Sequence, residues 1–110
     1  MFSNNYKISN QNENPGVYTI PCDDCSQVYI GQTGRILSKQ VNEHKYAVLT
    51  DHYSALTNHT HSGHIISFNE AKIVHSECNV RKRLIAEAIL LRTNNTFLDN
   101  TPSYDLNIFA

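Results

Sequence analysis

Two tyrosines, a pair of cysteines, a histidine and a glutamate are the side chains of this chain whose spacing allows chemistry. Tyr18 and Tyr29 lie in short aromatic segments, Gly16-Val17-Tyr18 and Tyr29-Ile30-Gly31, joined by a knuckle that holds Cys22 and Cys25. Strands joined by a short turn can set two phenols on one sheet face, within reach of a shared ligand. Taken singly, either tyrosine is as readily a core residue. Cys22-Asp23-Asp24-Cys25 suits redox or metal chemistry. A redox pair sits where a strand hands over to a helix N-terminus, which lowers the thiol pKa. Here a second strand follows, and metal is the better assignment.

Glu87 falls on the apolar stripe of a helix, where a carboxylate costs several kcal/mol unless it is paired or binds a metal. The alternative is a position at the stripe's edge, reaching water or Arg83. His44 likewise completes a stripe of Leu37, Val41 and Val48, where a histidine serves as a satisfied core residue or as a catalyst. Arg81, Lys82 and Arg83 form one basic cluster, and Arg35, Lys39 and Lys45 another. Each is a solvated helix face or a phosphate contact.

The elements that must position these groups follow from periodicity. Gly16–Ile20 and Gln27–Gly31 read as strands, with Pro21 ending the first. They are too close for a crossover and must be antiparallel. A helix is expected over about Arg35–Leu49, with Thr33 or Ser38 as capping candidates. A short helix is expected around Ser54–His59, a third strand over Ala71–His75, and a helix over about Val80–Thr93 capped by Asn79. The last has its stripe at Val80, Leu84 and Leu91, with Ala88 alongside. The fold class is α+β, a small three-stranded antiparallel sheet flanked by helices.

With 110 residues, the chain is one domain with a single core. Its 40% hydrophobic and 17% charged residues are those of a globular protein rather than a disordered one. A formal net charge of −1 argues against strong nonspecific affinity for DNA. Three cysteines make a disulfide framework improbable in the reducing compartment expected. No apolar run has the length of a membrane span, and the start lacks a signal-peptide core, so an intracellular protein without membrane contact is expected. Residues 1–14 are expected to be a flexible polar tail and 101–110 an extension beyond a domain spanning 15–100.

Gly16-Val17-Tyr18, Tyr29-Ile30-Gly31, Glu43-His44 and Glu87 together resemble the GIY-YIG endonuclease superfamily. Within it, the run Gly16-Val17-Tyr18-Thr19-Ile20-Pro21-Cys22, then Cys25 and Val28-Tyr29-Ile30-Gly31-Gln32-Thr33-Gly34-Arg35, is similar to the endonuclease domain of Penelope-like retroelements. So are Ser54-Ala55-Leu56, His59, Gly63-His64, Arg81-Lys82-Arg83-Leu84 and Glu87-Ala88. The resemblance implies hydrolysis of a DNA phosphodiester with one divalent cation, Mg²⁺ or Mn²⁺. It implies that Glu87 holds the cation, that Tyr18, helped by His44, deprotonates the attacking water, and that Tyr29 orients water or phosphate. Asn100 is the better candidate for the family's late asparagine, and Asn107 the weaker. It also implies DNA as partner, a reverse transcriptase domain in a longer polyprotein, and a nuclear location if chromosomal DNA is the target.

The same resemblance implies a structural Zn²⁺ site made by Cys22, Cys25, His59 and His64, with His61 competing for the place of His59. Cys78 is left over and is expected to be a buried or inert thiol. One position departs from the pattern. The family's catalytic arginine, one turn before His44, is Gln40 in this chain. An amide cannot supply a guanidinium's charge-assisted fork. Lys39 points about 100° away on the helix, and Arg35 precedes position 40 by more than a turn, so neither is expected to substitute. A weakened nuclease, or an inactive zinc-containing module that binds nucleic acid or protein, follows as the alternative.

Overall fold

A computed structural model describes residues 11–97 and Asn100. Residues 1–10 and 101–110, including Asn107, lie outside the described residues. The chain forms β1 (Gly16–Pro21), β2 (Val28–Thr33), α1 (Leu37–Leu49), α2 (Ala55–His61), β3 (Lys72–Ser76) and α3 (Val80–Thr93), with single 3-10 turns at Gln11–Glu13 and Phe68–Glu70. The sheet order is β2-β1-β3, antiparallel throughout. The α+β architecture expected from periodicity is the one observed. No helix among the described residues is long and apolar enough to cross a membrane.

The register of β1 against β2 sets Tyr18 opposite Gly31 and Ile20 opposite Tyr29. Strand alternation therefore puts both tyrosines on one face. That face builds the main core, in which Tyr18, Ile20 and Ile73 pack with Leu37 and Val41 of α1, Leu56 of α2, Ile66 and Phe97. Val17 and Ile30, on the other face, are also buried, and α3 packs on β1 and β2. Gly31 is required by contact. A Cβ there would stand 2.6 Å from both Cζ and the hydroxyl oxygen of Tyr18. Only a glycine lets the phenol lie across the neighbouring strand.

Local chemistry explains the helix starts. Ser54 accepts from the Thr57 amide and Asn79 from the Lys82 amide, as N-caps do. α1 begins later than expected. Ile36 stands at its N-cap in extended backbone, without a side-chain cap, and Thr33 instead accepts from the Arg35 amide at 3.1 Å. Ser38 makes no cap. The stripe anticipated on α3 is also rotated. Its buried residues are Arg83, Glu87 and Ala88, while Val80 is exposed. The Arg83 guanidinium accounts for this, donating to Gln32 Oε1 and to the carbonyls of Glu77 and Cys78.

Both outer strands are covered by asparagines. Asn100 accepts from the Ile30 amide at 2.7 Å and donates to its carbonyl at 3.0 Å. Just before it, residues 95–97 add backbone bonds to Val28 in a parallel bridge. Asn12 accepts from the Ile73 amide on β3. The last residues of the segment expected to be a tail thus belong to the fold. Covering free strand groups in this way removes a template for unwanted pairing.

Asn100→Ala leaves the Ile30 amide and carbonyl unpartnered, which costs about 1–3 kcal/mol. Urea unfolding is expected to show that loss together with faster hydrogen exchange at Ile30. Unchanged stability and exchange would remove Asn100 as the fastener of β2.

Candidate active site and metal centre

Tyr18, only 1% exposed, is the centre of a polar cluster inside the core. Its hydroxyl lies 2.7 Å from His44 Nε2 on α1. The Tyr29 ring centroid stands 6.2 Å from that of Tyr18 and 5.1 Å, edge-on, from that of His44. Burial pushes the Tyr18 phenol well above its ordinary value, with Tyr29 and then Glu87 adding to the rise and a hydrogen bond from Gln40 opposing it. Burial followed by the Glu87 charge raises Tyr29 in the same direction. Burial lowers His44, against a smaller opposing effect from Glu43. The resting site therefore holds two protonated phenols and a neutral imidazole. In that state the Tyr18 hydroxyl donates and Nε2 accepts.

Glu87 is 3% exposed and its charge reaches both phenols. It is not at a wet edge of α3. The sequence-selected Tyr18, Tyr29, Gln40, His44 and Glu87 thus form one electrostatically coupled group. Asn100 is held by the β2 backbone at Ile30, the residue next to Tyr29. Arg83 is buried among its acceptors and is not a surface cation for phosphate, whereas Arg81 and Lys82 are exposed. Arg35 differs most from expectation. Its Nη2 lies 2.9 Å from Gln40 Oε1 and 2.8 Å from Glu43 Oε1. Because Arg35 precedes α1, in chain that is not helical, helix-turn counting does not apply to it and the side chain folds back over the first turn.

At the far end of β1, Cys22, Cys25, His59 and His64 bring their ligand atoms within 4.8 Å of one another. Cys22 Sγ is 3.5 Å from His64 Nδ1, Cys25 Sγ is 3.4 Å from His59 Nε2, and the two nitrogens are 3.1 Å apart. A tetrahedral Zn²⁺ with ordinary bond lengths requires S–N edges of about 3.6 Å and an N–N edge of about 3.3 Å. Those three edges match, the other edges of the group lie within 4.8 Å, and two thiolates with two imidazoles are a zinc donor set. Four protein ligands leave no place for a catalytic water.

The surroundings hold these ligands in register. Asp23 donates its amide to the Ile65 carbonyl, Asp24 Oδ2 accepts from the Ile65 amide, and Ser67 donates to Pro21. His59 stacks on Phe97 with centroids 3.8 Å apart and planes 3° from parallel. Burial, then the neighbouring His64, lowers His59 and keeps its lone pair free for a metal. Burial raises the Cys22 thiol, the opposite of what a redox nucleophile needs. His61 is taken by Asp51 at 2.7 Å and lies outside the cluster, so the competition with His59 goes to His59. Cys78, expected to be buried or inert, is exposed and unbridged.

No family model, curated protein or solved structure matches the chain.

Two outcomes are expected. The protein binds one equivalent of Zn²⁺, and Co²⁺ in its place gives the intense visible bands of a tetrahedral thiolate site. Cys25→Ser or His64→Ala abolishes those bands, whereas His61→Ala keeps them. NMR titration of the His44 ring gives a midpoint below 6.5, because burial favours the neutral form. The imidazole thus stays neutral throughout the physiological range, and a midpoint above 6.5 would contradict the assigned hydrogen bond.

Proposed function

We propose that this chain is a metal-dependent DNA endonuclease domain of the GIY-YIG type, with a structural Zn²⁺ site, of the kind carried by Penelope-like retroelements. The supporting observation is the convergence of Tyr18, Tyr29, His44 and Glu87 from two strands and two helices. Glu87, a buried carboxylate beside two phenols, is the residue that would hold Mg²⁺ or Mn²⁺. When bound, such a cation polarises a phosphate oxygen and stabilises the leaving oxygen.

The chain's own groups account for the proton transfer. Water attacks phosphorus, its proton passes to the Tyr18 oxygen, and the phenol's original proton moves to His44 Nε2 across the 2.7 Å bond. The phosphorus–oxygen bond to the leaving group then breaks. Tyr18 is too weak an acid to act as a standing phenolate, so a neutral His44 is what lets it serve as a base. Tyr29 orients the water or the phosphate. DNA as partner, a reverse transcriptase domain in a longer polyprotein and a nuclear setting belong to the same proposal. Gln40 in the arginine position and the net charge of −1 favour a second reading, an inactive module binding nucleic acid or protein.

A plasmid assay separates them. Supercoiled DNA with Mg²⁺ or Mn²⁺ is expected to be nicked by the wild-type protein. Glu87→Gln, nearly isosteric and folded by its melting curve, is expected to lose about 10²–10³ in rate. Full activity in that variant would remove Glu87 from the site. No nicking by wild-type protein would favour the inactive module.

A further inference from the structure

Attack on a phosphodiester builds negative charge on the non-bridging oxygens, and a nearby guanidinium stabilises it through two charge-assisted bonds. Tyr18, Tyr29, His44, Gln40 and Glu87 contribute no positive charge in their resting state. Arg35 is a cation that touches this group. Its Nη2 donates to Gln40 Oε1, one turn before His44 on α1. The same nitrogen donates to Glu43 Oε1, one residue before His44. Among the described residues both contacts are made by Nη2, so Nη1 and Nε, the rest of the fork, remain for a ligand. The side chain is half exposed, with a relative accessibility of 50%. Gln40 therefore holds the guanidinium beside the site, the exposed Glu43 pair adding little in water, while its outer half stays open to solvent.

We propose that Arg35 is the residue that grips the scissile phosphate, supplying from before α1 the positive charge that Gln40 on α1 cannot. Gln40 is then a positioning residue. Its carbonyl oxygen accepts from the guanidinium at 2.9 Å and holds it one turn of α1 before His44, the partner of the Tyr18 hydroxyl. The ligand class is a phosphodiester anion, and the inference rests on the nuclease proposal above.

The test compares plasmid nicking by wild type, Arg35→Ala, Arg35→Lys, Glu43→Gln, Gln40→Arg and Arg35→Ala/Gln40→Arg, with Glu87→Gln as control and melting curves for all. Arg35→Ala is expected to lose about 10²–10³ in rate at unchanged melting temperature. Arg35→Lys recovers part of the loss. Glu43→Gln removes the same ion pair but keeps the guanidinium, and stays within about fivefold of wild type. The double variant regains at least about tenfold over Arg35→Ala, because a guanidinium returns from the helix. In DNA binding, Arg35→Ala reduces the slope of log affinity against log salt by about one, and Glu43→Gln does not.

Wild-type nicking that Arg35→Ala leaves intact overturns the Arg35 assignment and spares the nuclease. Equal losses in Arg35→Ala and Glu43→Gln overturn it too, because they reduce Arg35 to a surface ion pair. An inert wild type that Gln40→Arg activates shows that Arg35 does not substitute, and again spares the scaffold's chemistry. Inactivity of both, or nicking that Glu87→Gln does not affect, overturns the nuclease proposal and the Arg35 assignment with it.

Discussion

The contact between the Tyr18 ring and Gly31 is the constraint on which the rest of the structure depends. A phenol can lie across the adjacent strand only if the facing residue has no side chain, and the hairpin register places Gly31 there. Shifting that register by one residue would put Tyr18 and Tyr29 on opposite faces of the sheet. With the ring fixed, its hydroxyl meets His44 from α1, and its field is set by Tyr29 and Glu87. Burial of the phenols and the imidazole in one place keeps them neutral, and Glu87 adds to the rise of both phenols.

The two centres are mechanically continuous. β1 carries Tyr18 within it and delivers Cys22 just past its end. Phe97 lies against Tyr29 on one side, with centroids 6.4 Å apart, and is stacked by His59 on the other. The segment bearing His59 and His64 has Leu56 and Ile66 in the core but few other apolar anchors. Ligation would secure that segment to the hairpin knuckle by bonds stronger than its packing. A metal at the Cys22, Cys25, His59 and His64 group would keep α2 and the hairpin together around the phenols.

The hairpin and its paired tyrosines were legible in the sequence because strand period and a short connection decide the face with little help from the rest of the chain. So was Asn79 as a cap, since capping is local. His59 could not be separated from His61 by spacing, because either reaches a tetrahedral site. What decided it was Asp51, which engages His61 across a turn. The role of Asn100 depends on a strand distant in sequence, to which no local pattern points. The burial of Arg83 was hidden by its charge, as its acceptors are two carbonyls and Gln32 from other elements. Arg35 was misplaced by treating it as part of a regular helix that in fact begins at Leu37.

On the proposed nuclease reading, Glu87 and the two phenols together seat a divalent cation. Paramagnetic Mn²⁺, added to zinc-loaded protein, reports on this without requiring catalysis. The account predicts selective broadening of the Tyr18, Tyr29 and His44 ring signals, lost in the glutamine variant of Glu87. Broadening centred on other acidic residues, with those three rings unaffected, would contradict it.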